Sequence, residues 1–341
     1  MRKRLVASLF IVGVIGAVLF LKPLSTHTKV ILLVSEEFPQ IPIKPLGLIA
    51  KAPEHRTLEL ETKAGKAVAD LFLPSRRSAP ALVLAMGVRT QEKDKPVILH
   101  FARTMSRLGY VVLWPRLETL DKGTPSFEDP ETFVDAFEYL ESQETVDPRR
   151  ISFIGFSVGS SVATVAAQDP RIAQNVRALV FFGGYYNAFD YVTSLATGTI
   201  VLDGREAPWD PAEGATGHLK EIFERRAAKA IGVFGVKSRN EAAAFLSALP
   251  QDELEFLHKL SPSENLEKLR ARLFILHDRK DAYVSYTESQ RLYNMLPEKE
   301  NAALLFMNLF EHVQPQKGIS LQTAGELLKL YGFLYKVFTS F

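Results

Sequence analysis

From about residue 57 to the carboxyl end, short apolar runs alternate with longer segments in which apolar residues recur every three or four positions. A continuous apolar run of about four to eight residues is typical of a strand buried on both faces, and the longer period is typical of a helix packed on a sheet. The first two predicted strands form an antiparallel pair joined at Ala64-Gly65, and the later alternation predicts an α/β fold with a mostly parallel, eight-stranded sheet flanked by helices. The predicted strands cover residues 57–61, 68–73, 81–85, 110–114, 151–154, 178–182, 273–276 and 302–307.

The predicted helices of this core cover residues 96–108, a segment that begins at Asp129-Pro130, and residues 321–338. Proline fits the first turn of a helix because its missing N–H has no partner there in any case. The second of these helices carries one apolar stripe, made of Phe133, Ala136, Phe137 and Leu140. We therefore expect these helices to cover the faces of the sheet.

The regular spacing breaks once, between the strand that ends near residue 183 and the strand that begins near residue 272. A simple crossover needs only about a dozen residues, far fewer than this interval contains. Residues 218–231, 240–249 and 251–260 each show helical periodicity. The interval, taken as residues 191–269, is therefore interpreted as a helical cap inserted after the sixth strand, the alternative being a decorated connection. The core then comprises residues 56–190 and 270–341.

Residues 1–29 are interpreted as a membrane anchor or a secretory signal, because Arg2-Lys3-Arg4 precedes the almost entirely apolar residues 5–21. No small-x-small cleavage site follows the apolar run, which favours an uncleaved anchor over a cleaved signal or a buried core helix. Basic residues at the start stay on the cytoplasmic side, so the catalytic domain is expected outside the cytoplasm, anchored to the membrane or secreted if the segment is cleaved. Residues 30–55 carry four prolines and are interpreted as an extended connector or surface arm.

Composition narrows the function classes. The 41 Lys and Arg residues against 39 Asp and Glu residues give a net charge of +2, and five of those basic residues lie within residues 1–29. The rest of the chain is slightly acidic, so charge gives no reason to expect a nucleic-acid partner. The chain has no cysteine, which excludes disulfides, thiolate metal sites and cysteine nucleophiles. No metal-binding spacing such as His-Glu-x-x-His occurs, and we expect neither a metal nor a cofactor.

A Gly-x-Ser-x-Gly sequence lies directly between the predicted strand 151–154 and a helical stretch of small residues: Gly155, Phe156, Ser157, Val158 and Gly159. Between a strand and a helix this pattern indicates a nucleophile elbow, a sharp turn that lifts the serine hydroxyl above the edge of the sheet. The two glycines remove side chains where strand and helix approach closely. Ser157 is therefore the candidate nucleophile, with an ordinary turn serine as the alternative.

A serine nucleophile needs a histidine as its base and an acid to orient that histidine. In chain order the acid and then the histidine follow the serine when the fold carries such an elbow. Asp278 and Asp281 follow the strand 273–276, and His312 follows the last predicted strand. His277 is expected to support the loop rather than to take part in chemistry.

These residues resemble the α/β-hydrolase superfamily, and in particular its dienelactone-hydrolase-like and prolyl-oligopeptidase-like esterase branches, over most of residues 57–338. The segment before the elbow, Asp147-Pro148-Arg149-Arg150-Ile151, carries part of the likeness, as does the strand ending in His277-Asp278-Arg279-Lys280-Asp281. That strand usually ends in His-Gly-x-x-Asp in the family, and its Asp is the catalytic acid. The resemblance therefore assigns the acid to Asp281, with Asp278 replacing the family's glycine.

The resemblance also implies an oxyanion hole made of backbone amides, those of Val158 and of Val88 or Gly87. The family commonly has His-Gly at that second position, whereas this chain has Met86-Gly87. A backbone amide survives a change of side chain, so we expect the hole to persist.

The predicted function is a serine hydrolase that cleaves a small-molecule carboxylic ester through an acyl-serine, using Ser157, Asp281 and His312. The 23 phenylalanines and the cap are compatible with an apolar acyl group. The alternatives are an amide or thioester hydrolase, an acyltransferase, or a catalytically inactive, membrane-anchored hydrolase fold that binds a partner.

Overall fold

A computed structural model describes residues 25–39, 41–63, 65–76, 78–88, 94–315 and 321–341. The strands, in chain order, are β1 (Glu54–Thr62), β2 (Gly65–Leu73), β3 (Ala79–Ala85), β4 (Val111–Arg116), β5 (Val146–Phe156), β6 (Val176–Phe182), β7 (Thr199–Leu202), β8 (Arg205–Pro208), β9 (Arg272–Asp278), β10 (Ala302–Met307), β11 (Phe310–Glu311) and β12 (Gln314–Pro315). The α-helices are α1 (Thr26–Glu37), α2 (Leu46–Ile49), α3 (Lys95–Arg107), α4 (Glu118–Asp121), α5 (Asp129–Glu141), α6 (Val158–Ala166), α7 (Ala188–Thr197), α8 (Glu213–Arg226), α9 (Arg239–Ser247), α10 (Gln251–Lys259), α11 (Tyr286–Met295) and α12 (Leu321–Ser340). Segments of 3₁₀ helix cover Ala228–Gly235, Pro262–Lys268 and Lys299–Asn301.

Eight of these strands form one sheet in the order β1-β2-β4-β3-β5-β6-β9-β10. β1 and β2 pair antiparallel, β2 pairs antiparallel with β4, and every later neighbour pair is parallel. The predicted eight-stranded, mostly parallel sheet is confirmed, and each of its predicted strands overlaps an observed one. Because the carboxyl ends of the parallel strands share one edge, the loops after β3, β5, β9 and β10 converge there.

Strand β3 shows why the central strands read as continuous apolar runs. All seven of its residues are buried. Side chains alternate across a strand, so Ala81, Val83 and Ala85 join the core on one face while Leu82 and Leu84 join the core on the other. On the first face the sheet is covered by α5 and α6, and on the second by α1, α3 and α12. The four stripe residues predicted on α5 are all buried in the first core.

The chain between β6 and β9 builds an insertion of helices and one hairpin on the first face. It begins with α7 at Ala188, three residues before the predicted start, and ends with the 3₁₀ segment Pro262–Lys268. The predicted helix 218–231 is observed as α8, which ends at Arg226, followed by the 3₁₀ segment Ala228–Gly235. Within that segment Gly232 lets the Phe245 ring approach the backbone, since a Cβ there would lie 2.5 Å from the ring. We call this insertion the cap.

The proposed extended connector is wrong for residues 30–37, which belong to helix α1. Ser25 is its N-cap and accepts a hydrogen bond from the amide of Thr28, and Val30 and Leu33 are buried in the second core. After α1, Lys44 donates to the carbonyls of Ser35, Glu36 and Phe38 at 2.6, 2.9 and 3.0 Å and so holds the end of the helix. The prolines begin only at Pro39, where they end the helix instead of extending the whole segment.

The apolar residues 5–21, predicted to be an anchor or signal, lie outside the described residues. Among the helices of the described ranges, none combines the length and apolar character needed to span a membrane.

Candidate active site

The site is centred on Ser157, which joins the end of β5 to the start of α6. Its backbone has φ 53° and ψ −136°, a conformation that a residue with a Cβ rarely adopts. Such a conformation costs on the order of 1–3 kcal/mol, and the surrounding structure must hold it in place. The amide of Ser157 donates to the carbonyl of Phe182 at 2.8 Å, which fixes the turn to the neighbouring strand β6.

The two predicted elbow glycines lie where the chain leaves no space for a side chain. A Cβ on Gly155 would lie 2.4 Å from the Cα of Ser160, and one on Gly159 would lie 2.3 Å from the carbonyl oxygen of Met86. Real Cβ atoms do not approach backbone atoms so closely, so α6 reaches the serine only because both positions are glycine. The sequence interpretation of Gly155 and Gly159 agrees with these contacts.

The structure brings Ser157, His312 and Asp281 into one hydrogen-bonded chain. His312 Nε2 lies 2.7 Å from Ser157 Oγ, and its Nδ1 lies 2.6 Å from Asp281 Oδ2. The carboxylate accepts from Nδ1–H, which leaves Nε2 free to accept the proton of the hydroxyl. His312 lies in the turn between β11 and β12 and has φ 56°, a second strained residue at the same site.

Asp281 is 3% exposed and is surrounded by donors. Its Oδ1 accepts from the amides of Tyr283 and Val284 at 2.8 and 3.0 Å, while His277 Nε2 lies 3.3 Å from Oδ2. Burial by itself raises the pKa of Asp281, but the hydrogen bonds from His277 and His312 and the electrostatic attraction to these two side chains outweigh it, and the pKa lies well below its usual range. Asp281 is therefore a carboxylate at neutral pH and stabilises a charged His312.

Asp278, the other candidate for the catalytic acid, forms a different set of hydrogen bonds. It is fully buried, and its Oδ2 accepts from the amides of Leu309 and Phe310 at 2.7 and 2.9 Å, while its Oδ1 accepts from the amide of Lys280. Both oxygens point to backbone amides, and the amides of Leu309 and Phe310 belong to the segment that leads to His312. Asp278 therefore ties the end of β9 to the loop that carries the histidine.

The predicted oxyanion donors lie beside the serine. Gly87 and Val88 follow the carboxyl end of β3, and a Cβ on Gly87 would lie 2.9 Å from the Cβ of Ser157. Val158 is the first residue of α6, where the amide has no partner within the helix and the helix dipole favours negative charge. The backbone of Gly87 thus lies next to Ser157 and Val158 follows the serine directly in the chain, so these amides stay the predicted oxyanion donors.

Three features around this site are not among those predicted from the sequence. The ring of Tyr283 lies 5.1 Å from that of His312, Trp209 at the base of the cap donates to the carbonyl of Asp281 at 3.3 Å, and α1 lines a cavity that reaches Ser157. Tyr283 follows directly from the acid loop, but the other two contacts join segments far apart in the chain. Among the described residues, no cluster of His, Asp and Glu could hold a metal ion.

Neither the protein-family models nor the curated proteins include a match to this chain. Solved structures do resemble it. The acylaminoacyl peptidase of Pyrococcus horikoshii has a TM-score of 0.57 at 15% identity, over 88% of this chain and 44% of the peptidase. A puromycin-hydrolyzing peptidase of Mycobacterium tuberculosis has a TM-score of 0.54 at 15% identity, over 88% of this chain and 41% of that one.

An esterase of Pyrobaculum calidifontis is similar along nearly its whole length, with a TM-score of 0.50 at 16% identity over 92% of this chain and 91% of the esterase. This chain spans less than half the length of the two peptidases. At such identities the likeness concerns the fold. Together with the strand order, it shows that the chain has the α/β-hydrolase fold.

Proposed function

We propose that this chain, which has the α/β-hydrolase fold, is a serine hydrolase that cleaves a carboxylic ester through an acyl-serine intermediate. One observation carries the proposal: Ser157 Oγ, His312 and Asp281 form a continuous chain of hydrogen bonds of 2.7 and 2.6 Å. That is the arrangement in which a histidine can remove the proton of a serine hydroxyl while a carboxylate stabilises the resulting imidazolium.

In the first half of the reaction, Ser157 Oγ attacks the ester carbon while its proton passes to His312 Nε2. The carbonyl oxygen becomes an oxyanion, which the backbone amides of Val158 and of Gly87 or Val88 stabilise. The tetrahedral intermediate collapses, the bond to the alcohol oxygen breaks, and His312 gives its proton to that oxygen. The alcohol leaves and the acyl group stays on Ser157.

In the second half, a water molecule gives a proton to His312 as its oxygen attacks the acyl carbon. Collapse of this second intermediate breaks the bond to Ser157 Oγ, which takes the proton back from His312, and the carboxylic acid leaves. Asp281 keeps its negative charge throughout, since the hydrogen bonds that it accepts hold its pKa well below the usual range.

A peptidase is the second candidate, since two of the similar structures are described as peptidases. The same chain of hydrogen bonds serves an amide, a thioester or an acyl acceptor other than water. A catalytically inactive binding protein is disfavoured, because Ser157 and His312 both keep strained backbone conformations whose only evident benefit is the geometry of the reacting atoms.

Attachment to a membrane through residues 5–21, with the catalytic domain outside the cytoplasm, is also proposed, and protease treatment of intact spheroplasts tests it.

The function is tested by labelling the full chain with a small fluorophosphonate probe, followed by hydrolysis of a panel of esters and matched amides. We expect labelling of the wild type and none of Ser157→Ala or His312→Ala. The exposed residues Ser247 and His258 provide matched controls, as Ser247→Ala and His258→Ala should label like the wild type. An unlabelled but folded wild type would refute the proposal, and faster cleavage of amides than of esters would favour the peptidase.

A further inference from the structure

A large apolar cavity lies on the second face of the sheet, opposite the cap. It has a volume of about 450 Å³ and is walled by α1, α3 and α12, with Leu33, Phe101 and Leu334 among its lining residues. On the sheet side it is closed by Phe156 and Phe182, and it reaches Ser157 and His312. We call it the α1–α12 cavity.

Its size and its lining indicate a binding site rather than a packing defect. Protein interiors are packed so closely that few voids exceed one water molecule, whereas small-molecule sites measure about 300–1,000 Å³. Glu37 lines the same cavity, and burial raises the pKa of its carboxyl to about 7, although a hydrogen bond from Thr104 opposes the shift. A carboxyl group that holds its proton this strongly reports surroundings that solvate charge poorly.

A second cavity, of about 310 Å³, lies on the first face beneath the cap. We call it the cap cavity, and its lining includes Tyr191 of α7, Leu219 of α8 and Phe256 of α10. It shares Val88, Ser157 and His312 with the α1–α12 cavity. Of the neighbours of the nucleophile, Phe156 lines only the first cavity and Val158 only the second, so the two meet at Ser157 from opposite sides.

We propose that the substrate carries an apolar group on each side of the reacting carbonyl, one bound in the α1–α12 cavity and the other in the cap cavity. In the tetrahedral intermediate the carbonyl carbon bears Ser157 Oγ, the oxyanion, and two further substituents. The oxyanion accepts hydrogen bonds from the backbone amides. The two remaining substituents, the acyl chain and the alcohol group, are then bound one in each cavity. This inference rests on the proposed function and narrows its substrate to esters of an apolar acid with an apolar alcohol.

Helix α1 is thereby a specificity-determining element. It precedes the whole sheet in the chain, yet Leu33, Val34 and Glu37 form a wall of the cavity that opens to the nucleophile. Leu334 of α12 lines the same cavity. A bulkier side chain at that position shortens the space that a substrate group can occupy.

The test uses the full chain and two series of esters. One series keeps a methyl alcohol and lengthens the acid from acetyl to dodecanoyl, and the other keeps an acetyl group and lengthens the alcohol from methyl to dodecyl. In both series the wild-type kcat/KM is expected to rise about fourfold for each added methylene, equivalent to about 0.8 kcal/mol, until the cavity is full. Rates that do not depend on length in either series would overturn the inference.

Two variants show which cavity binds the acid side of the ester and which binds the alcohol side. Leu334→Trp narrows the α1–α12 cavity and should shorten the preferred length in one series, while Leu219→Trp narrows the cap cavity and should shorten it in the other. Leu328→Trp is the control, because Leu328 lies on α12 but is 74% exposed. The inference fails when both variants alter the same series or when neither alters any.

Alanine variants and fluorophosphonate labelling cover the cases in which a tryptophan variant does not fold or no length dependence is seen. Should either tryptophan variant fail to fold, Leu334→Ala and Leu219→Ala enlarge the same cavities and should move the optimum to longer groups. Fluorophosphonate labelling of the wild type separates the two proposals. An unlabelled Ser157 refutes the serine hydrolase itself, whereas a labelled Ser157 without any length dependence refutes only the two apolar cavities as substrate sites.

Discussion

At the scale of single residues, the site separates two aspartates that the sequence leaves as competitors. Asp281 accepts from His312, whereas Asp278, three residues earlier, accepts only from backbone amides. Both are buried, so burial does not distinguish them. Their hydrogen-bond partners distinguish them. The charge of Asp281 lies beside His312 and stabilises that histidine during the reaction, whereas the charge of Asp278 accepts from backbone amides and holds the loop.

Asp281→Asn should lower kcat about 10³–10⁴-fold with little change in KM. The asparagine amide is neutral, so it does not stabilise the imidazolium, and its NH2 group can donate to His312 Nδ1 and so favour the tautomer that cannot act as the base. Steady-state kinetics with a chromogenic ester substrate measures the fall in kcat and any change in KM. Asp278→Asn is the comparison, for which we expect a smaller fall in kcat and a lower melting temperature. An equal or larger kcat effect at Asp278 would reverse the assignment.

Gly159→Ala should destabilise the fold by about 3 kcal/mol or more and abolish labelling of Ser157. The new Cβ would lie 2.3 Å from the Met86 carbonyl and 2.4 Å from that of Ala85, so α6 must move away from the end of β3. Denaturant unfolding measures the stability. Gly217→Ala on α8 is the control, since nothing lies within 4 Å of a Cβ there, and we expect it to be neutral or slightly stabilising.

At the scale of elements, α1 connects the start of the described chain to the site. Lys44 donates to the carbonyls of Ser35 and Glu36 in the last turn of α1 and to that of Phe38, the residue directly after it, and so places a positive charge at the negative end of the helix dipole. The contact replaces the hydrogen bonds that the last turn of a helix lacks. Besides the buried residues of α1, one side chain outside the helix therefore helps to hold this wall of the α1–α12 cavity.

Lys44→Met should raise amide hydrogen exchange in α1 about tenfold, corresponding to the loss of about 1.4 kcal/mol of charge-assisted hydrogen bonding. Exchange in β3 and β5 should not change, because their amides lie in the centre of the sheet. Exchange detected by mass spectrometry measures both regions in one experiment. Lys51→Met, at an exposed position after α2, is the control, and a uniform rise over all regions would mean global destabilisation instead.

Elements that are determined by a local sequence pattern were predictable, whereas features that depend on contacts between distant segments of the chain were not. The strands of the sheet read as apolar runs because strands such as β3 are buried on both faces. The hairpin of β7 and β8 was missed although Asp203-Gly204 is a turn signal, and both residues have positive φ. Ser25 is a residue that favours an N-cap and so marks the start of α1, whereas the prolines from Pro39 onward favour an extended chain. The cavity that α1 closes requires helices from both ends of the chain, which no local pattern reveals.

At the scale of the whole molecule, Glu288 joins the cap to the core. It belongs to α11 and accepts from the amides of Tyr186 and Asn187, the two residues directly before α7. Arg291, one turn further along α11, forms an ion pair with Asp190 of α7, which also pairs with Arg239 of α9. A buried carboxyl group thus lies where the first cap helix leaves the sheet, and its charge affects the attachment of the whole insertion.

Burial raises the pKa of Glu288 to about 7, although the hydrogen bonds from the amides of Asn187 and Tyr186 oppose the shift. An acid whose pKa is higher in the folded than in the unfolded state binds more protons when folded, so stability falls as the pH rises from about 4.5 to about 7. The difference between these pKa values corresponds to about 3 kcal/mol. Glu288→Gln removes this titration and should flatten the dependence of the unfolding free energy on pH.

The experiment is urea unfolding of the wild type and Glu288→Gln at several pH values from 4 to 8, with the two curves subtracted. Subtraction is needed because burial also raises the pKa of Glu37 to about 7 and that of Asp129 to about 6, and both groups contribute with the same sign. Glu255→Gln is the control, since this carboxyl lies on the exposed side of the cap helix α10 beside Lys259. A difference curve that stays flat between pH 4.5 and 7 would mean that Glu288 has the same pKa in the folded and the unfolded protein, so that a charged carboxylate accepts from the amides of Tyr186 and Asn187 at neutral pH.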